Sequence, residues 1–413
     1  MVKLYALVAL LSGCNYIFDS FNTNDFSGDP YPILTENVAG AMIVGLHESD
    51  STEQRVAVLD VLSPLTLIDR GPGIPARIDE RDITIDGVRL PGGELDLPRA
   101  MIRAHDVVTL HPCQSDACQV GTGIGPRDFN ALIGMDAFGS DALRLHLATN
   151  EIFILPDIAG SEVHRSRSCD AVLPSPFRGG GTLVLGGTEI PFANWRIAMD
   201  ACLVPNPDPL LVQSARGVDA LLVLSTALGT SILNETTYAQ LRALDATTPP
   251  LDMLPVSTVF LPSGPLAGRL TVVSSLALVG NSSSDPRAPC RQMYAHHFLA
   301  KRDCTSADTD CPCIDEDFCS VPAMVTISPA TQISVLVVPD NTPMLQALRA
   351  ELRPDRPEVD GILGTEALQA LELDIDYAHD RLLARCVDRT SCQARAELDD
   401  RDARPYVNGC NNE

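Results

Sequence analysis

At 413 residues, with 45% apolar and 20% charged side chains, the chain can form one large domain or two to three ordinary ones around a sizeable core. Its formal charge of −24 and pI near 4.6 exclude nucleic acid as a partner, because phosphate binding needs a basic surface. The acidity is read as a solubility feature.

The N-terminus has the layout of a targeting segment. Lys3 supplies a positive start, Leu4 to Leu11 is apolar but too short to span a bilayer, and Leu11-Ser12-Gly13-Cys14 follows at once. These four residues resemble the lipobox of bacterial lipoproteins. The resemblance implies that residues 1–13 are a signal peptide and that Cys14 is lipidated as the first mature residue. Several acyl chains on one residue imply a stable anchor, with the protein at the cell envelope, at the outer membrane or cell surface rather than the inner membrane. Residues 14–34, rich in Asn, Asp, Ser and Gly up to Pro32, read as a tether. Thirteen cysteines less Cys14 leave twelve, which suits disulfides in an oxidising compartment, without fixing their connectivity.

From Ile33 to Asp60 the pattern is strand, loop, strand: AMIVGL, HESDSTEQ, RVAVLD. Asp86-Gly87 and Gly92-Gly93 are hairpin signals inside ITIDGVRLPGGELDL, and VVTLHPC follows. No long helical period interrupts this half, so it is predicted to be mostly β. Cys113 and Cys118 would close a small loop.

Two stretches then recur in the same order. Arg55 to Asp69 (RVAVLDVLSPLTLID) aligns without a gap on Ala220 to Asn234 (ALLVLSTALGTSILN). Asn130 to Phe138 (NALIGMDAF) aligns on Asp360 to Leu368 (DGILGTEAL), and each copy leads through a short helical stretch to a hairpin, from Ala142 and from Leu371. Between the copies, GTLVLGG, TEIPF and WRIAMDACLV read as strands. Asn234 is placed to cap a helix with Tyr238, Leu241 and Leu244 on one face. An insertion at about 288–320 gathers Cys290, Cys304, Cys311, Cys313 and Cys319. Past Cys386 the chain is polar and is expected to be pinned by Cys392 and Cys410.

An apolar strand ending in an Asp, a Ser/Thr-rich turn, an apolar pair and a later apolar-apolar-Gly resembles the pattern of aspartic proteases. Its double occurrence is similar to the bilobal pepsin-like members, and the tail DGILGTEALQALELDIDYAHDRL to bacterial retropepsin-like domains. The resemblance covers about residues 35–388. It implies an all-β fold, mainly β with a few short helices, in two similar lobes (35–165 and 166–388) with a cleft between them, followed by a polar tail at 389–413.

The motifs are degenerate. The first Asp-Thr-Gly falls on Asp60-Val61-Leu62, where Val61 lacks the hydroxyl that crosses to the opposite loop and Leu62 is bulky where the family has Gly. The second falls on Ser225-Thr226-Ala227, keeping the Thr and losing the Asp. No flap Tyr occurs between Asp60 and Asn130. Aspartic proteases activate water with two carboxyl groups sharing one proton, and the pair titrates as a unit. A lone Asp beside Ser225 has no second acid, which removes roughly 10²–10⁴ in rate for each missing proton-transferring group.

Asp219 lies before the apolar strand, at its opposite end from the break, and Asp69 lies beyond the second apolar pair, so neither is placed to replace it, and Ser225 lacks the positioned base and oxyanion hole of a serine nucleophile. The expectation is therefore a catalytically inactive, lipid-anchored protein. Its cleft, lined by Asp60, Val61, Leu62, Ser63, Ser225, Thr226 and Ala227, would bind a peptide or protein in a monomer. A divergent active endopeptidase and a β-rich surface module without a cleft function are the alternatives. No cofactor or metal is expected. His296, His297 and Cys311-Pro-Cys313 match no zinc spacing, and Asp308, Asp310, Asp315, Glu316 and Asp317 lack EF-hand spacing. Gly179-Gly180-Gly181 lacks the Lys-Ser/Thr ending of a phosphate loop.

Overall fold

Short runs of Val, Ile, Leu and Ala set between turn residues favour strands. The structure, a computed structural model, is accordingly mainly β with a few short helices. It describes residues 33–34, 36–38, 40–48, 54–69, 77–86, 100–110, 119–121, 126–128, 131–138, 142–155, 171–174, 181–185, 188–192, 196–205, 217–261, 264–279, 290, 324–327, 332–351, 358–376, 381–388 and 390–394. The expected signal peptide, Cys14, most of the tether, Cys113, Cys118, Cys410 and nearly all of the Cys-rich insertion lie outside these residues.

One seven-stranded sheet is built from the first half, in the spatial order Glu36–Val38, Ala41–Glu48, Arg55–Leu59, Ala131–Ile133, Leu67–Asp69, Ala100–Leu110, Arg77–Asp86. Ala41–Glu48 also pairs with Arg77–Asp86, so the sheet curls back on itself. A ten-stranded sheet from the second half holds Val218–Leu224, Gly361–Leu363 and Ser231–Asn234 side by side near its middle.

The two repeated stretches occupy equivalent places with the same register. Ala131, Leu132 and Ile133 run parallel beside Ala57, Val58 and Leu59, as Gly361, Ile362 and Leu363 do beside Leu222, Val223 and Leu224. On the other side Leu132 faces Leu67 antiparallel, and Ile362 faces Ile232. Each short apolar strand is thus clamped between the two arms of the first repeat.

The glycine that ends each short strand is required by this clamp. A Cβ on Gly134 would lie 2.3 Å from the Leu65 carbonyl oxygen, and one on Gly364 would lie 2.3 Å from that of Gly229. Their amides donate to Thr66 Oγ1 and Ser231 Oγ, both at 3.1 Å, which gives the Ser/Thr run in each repeat its role.

The hairpins that follow the repeats meet in a six-stranded sheet, ordered Ile33–Leu34, Glu151–Leu155, Ala142–His146, Leu371–Asp376, Arg381–Cys386, Ala171–Pro174. At its centre Leu143 faces Ile375, Arg144 faces Asp374 and Leu145 faces Leu373. Strand alternation sends Leu143, Leu145, Leu373 and Ile375 into a buried cluster shared with residues of the other two sheets. Arg144 lies on the opposite face, forked onto Asp374 with Nε to Oδ1 at 2.6 Å and Nη2 to Oδ2 at 3.0 Å.

The expected helix spans Glu235–Leu244, and Asn234 caps it by accepting from the Thr237 amide at 2.7 Å. Tyr238 and Leu241 are buried, but Leu244 is 37% exposed, contrary to the sequence reading. It is the last helical residue, and the backbone turns extended at Asp245 before the side chain gains a cover.

Two disulfides join described residues, Cys202–Cys290 and Cys386–Cys392. Cys392 thus closes a short loop onto Cys386 at the end of the Arg381–Cys386 strand, and Cys410 lies outside the described residues. The turn at Asp388–Ser391 returns the chain, and Cys392–Ala394 adds an edge strand beside Met324–Ile327. Among the described residues no helix is long and apolar enough to cross a membrane.

Candidate functional site

Asp60 and Ser225 each leave the end of a central strand at the place where a third strand's carbonyl holds the backbone. The Asp60 amide donates to the Ile133 carbonyl and the Ser225 amide to that of Leu363, both at 3.0 Å. The equivalence read from the aligned sequences is therefore an equivalence of position. It brings the two side chains together: Ser225 Oγ donates to Asp60 Oδ1 at 3.0 Å.

Both groups are deeply enclosed, Asp60 at 4% exposure and Ser225 at 0%. Asp60 Oδ1 also accepts from the Leu62 amide at 3.0 Å, a local turn closed further by the Ser63 amide on the Asp60 carbonyl. Ser225 Oγ in turn accepts from the Ala227 amide at 3.2 Å, so both side chains stabilise their own loops. Burial raises the Asp60 pKa above its ordinary value. The Leu62 amide, the Ser225 hydroxyl, the nearby Arg196 charge and the Thr226 amide act in the opposite direction.

Thr226 links the two loops. Its hydroxyl donates to the Leu59 carbonyl at 2.7 Å and accepts from the Val61 amide at 3.1 Å. Val61 has no hydroxyl to return the gesture, and it engages across the junction through its backbone amide alone. The Met42 amide donates to the Thr226 carbonyl at 2.9 Å, and Thr365 Oγ1 donates to the Gly40 carbonyl. Val61, Thr226 and Ala227 are buried, whereas Leu62 and Ser63 are partly exposed. Leu62 packs against an apolar cluster of second-half residues that includes Ala198, Val223 and Leu228.

Arg196 is a residue that sequence reasoning missed. It precedes the Ala198–Val204 strand and is only 6% exposed, and its Nε donates to the Leu62 carbonyl at 2.8 Å. Burial lowers its pKa to about 10, with the Asp60 charge pulling the other way, so it remains a cation at neutral pH. The one signal for it in the sequence is a charged residue opening an apolar strand whose register counterpart opens with Ala41.

Among the described residues, the groups that reach the Asp60 carboxylate are amides, a hydroxyl and the charge of a guanidinium, and none is a second carboxylate. Asp219 lies within the Val218–Leu224 strand, about 20 Å from Ser225 at strand rise, and accepts from the Cys290 amide. Asp69 ends the Leu67–Asp69 strand, away from the junction. Asp360 is half-buried, with its pKa raised by partial desolvation. It accepts from the Leu221 amide and Thr237 Oγ1, at the far end of the Gly361–Leu363 strand from Ser225. Among the described residues no group of three or more His, Cys, Asp or Glu could hold a metal ion.

Chemically, the arrangement offers one carboxyl group with a neutral hydroxyl as its neighbour. A serine hydroxyl cannot share a proton with Asp60 as a second carboxyl group does, so this pair does not divide into an acid and a base. Compared with known proteins, the chain matches no family model and no curated protein sequence.

Proposed function

We propose that the chain is an aspartic-protease-like protein that no longer cleaves peptides and instead binds a peptide or protein between two lobes, at the cell envelope. The observation that carries the reading is the Ser225 Oγ to Asp60 Oδ1 hydrogen bond, in the place a dyad would occupy. The repeated strand register and the surviving Thr226 bridge support the family resemblance. The buried Arg196 adds a positive charge beside the remaining carboxylate, where a catalytic dyad would carry a shared proton.

The test is peptide hydrolysis by the purified protein against a mixed peptide library from pH 3 to 7. No cleavage above that of Asp60→Ala is expected. Cleavage that Asp60→Ala abolishes would favour the divergent endopeptidase instead. A surface module without a cleft function needs the segments around Asp60 and Ser225 to lie apart, and their direct hydrogen bond argues against that. Anchoring through Cys14 has its own measurement: Cys14→Ser should move the chain from the membrane fraction to the soluble one, and unchanged retention would remove the lipoprotein reading.

A further inference from the structure

The seam between Ala142–His146 and Leu371–Asp376 is symmetric in a way that poses a recognition problem. Both strands open the hairpin that follows a short helix, and Arg144 and Asp374 hold matching places in them. With Leu143 facing Ile375 and Leu145 facing Leu373, exchanging the two halves maps the ladder onto itself. The apolar side of such a ladder cannot tell one half from the other, because Leu against Leu or Ile fits either way. Two like strands from two copies of the chain would bury the same apolar surface.

The polar side does discriminate. In the observed pairing Arg144 is forked onto Asp374, its Nε lies 3.6 Å from Glu372 Oε1, and His146 faces Glu372 across the ladder. Asp374 and Glu372 are buried at 3% and 6% exposure. Pairing like strands would set Arg144 against Arg144, or Asp374 against Asp374 with two copies of Glu372 beside them. Bringing buried like charges face to face is strongly unfavourable, and repulsion of this kind is how an interface rejects a wrong partner.

We infer that the Arg144–Asp374 pair is a pairing code: it directs a first half onto a second half and rejects like halves. The partner this surface fits is an unlike half of the same protein, whether from the same chain or exchanged from a second copy.

The test uses Arg144→Asp and Asp374→Arg in the full chain. Each single variant sets like charges across its own seam. If first and second halves are exchanged between the two variants, both opposite-charge pairs return. An equimolar mixture is unfolded in urea without reductant and refolded by dilution. Both described disulfides join residues from Cys202 onward, so neither ties the first half to the second.

Size exclusion with light scattering is expected to show at least about ten-fold more dimer in the mixture than in either variant alone, at 1:1 composition by mass spectrometry. A ten-fold preference is the size expected of one well-placed charge pair. The double variant carrying both reversals should refold as a monomer with a urea midpoint above both single variants. The code is overturned if the mixture gives no more dimer than the single variants, or if the double variant is no more stable than they are.

Discussion

Replacing Thr226 by valine keeps the shape of the side chain and removes one oxygen. That oxygen is the donor to the Leu59 carbonyl at 2.7 Å and the acceptor from the Val61 amide at 3.1 Å, and Thr226 is 0% exposed. The substitution therefore strands a buried carbonyl and a buried amide. Each orphaned group costs about 1–3 kcal/mol, which makes the expected loss roughly 2–6 kcal/mol. Thr226→Ser keeps the hydroxyl and gives up one methyl group, worth about 0.8 kcal/mol. Urea denaturation, followed both by the fluorescence of the single tryptophan, Trp195, and by far-UV circular dichroism, measures the order. Coincident transitions license the comparison of free energies. Wild type should exceed Thr226→Ser, and Thr226→Ser should exceed Thr226→Val by at least about 1.5 kcal/mol. If the serine and valine variants agree within about 0.5 kcal/mol, the hydroxyl does not bridge the loops and the junction is held by packing alone.

Four further substitutions probe the same framework. Burial raises the Asp60 pKa, so the folded chain holds a proton that the unfolded chain releases above about 3.8, and stability falls as pH rises through that window. Relative to Asp60→Asn, wild type should lose stability from pH 4 upward by at most about 1.4 kcal/mol per pH unit, then level off; a difference that stays flat or grows with pH removes the argument. Gly134→Ala and Gly364→Ala each drive a Cβ against a carbonyl oxygen at 2.3 Å and should each cost about 1–3 kcal/mol by urea midpoint, whereas a neutral result at either position would contradict the clamp. Asn234→Ala removes the cap on the Thr237 amide and should lower stability by about 1 kcal/mol, with no change expected if the cap is idle.

Much of the framework was readable because it rests on backbone requirements that few residues satisfy. The two short apolar strands ending in Gly134 and Gly364 and the Asn234 cap leave a local mark in the sequence and appear where that mark placed them, whereas the Ser/Thr-rich turn was visible without the roles of the Thr66 and Ser231 hydroxyls. The meeting of Asp60 with Ser225 also followed from the repeat, since equivalent strands deliver equivalent positions to one junction. Arg196 left no such mark. Its importance arises from a side chain crossing to Leu62 and Asp60 from another strand, and one isolated charge carries no periodicity. Disulfide partners were equally hidden, because Cys202 meets Cys290 across 88 residues through sheet geometry alone. Leu244 was misread because helical spacing describes a face, while burial depends on what stands opposite it.

The six-stranded sheet also sets the order in which this protein can be completed. Its central ladder joins Arg144 to Asp374, 230 residues further along, so the Ala142–His146 strand has an open edge until nearly the whole chain has emerged. Closing so long a loop is slow compared with forming hairpins, and an open edge in the meantime is a template for the wrong strand. In a chain delivered from its N-terminus, the first half waits with that edge exposed. A polar, charged centre on the waiting strand makes it a poor site for aggregation. The last hairpin then acts as the fastener that ends assembly, and losing residues 371–386 would leave the two larger sheets held at the Asp60–Ser225 junction without the seam of the third.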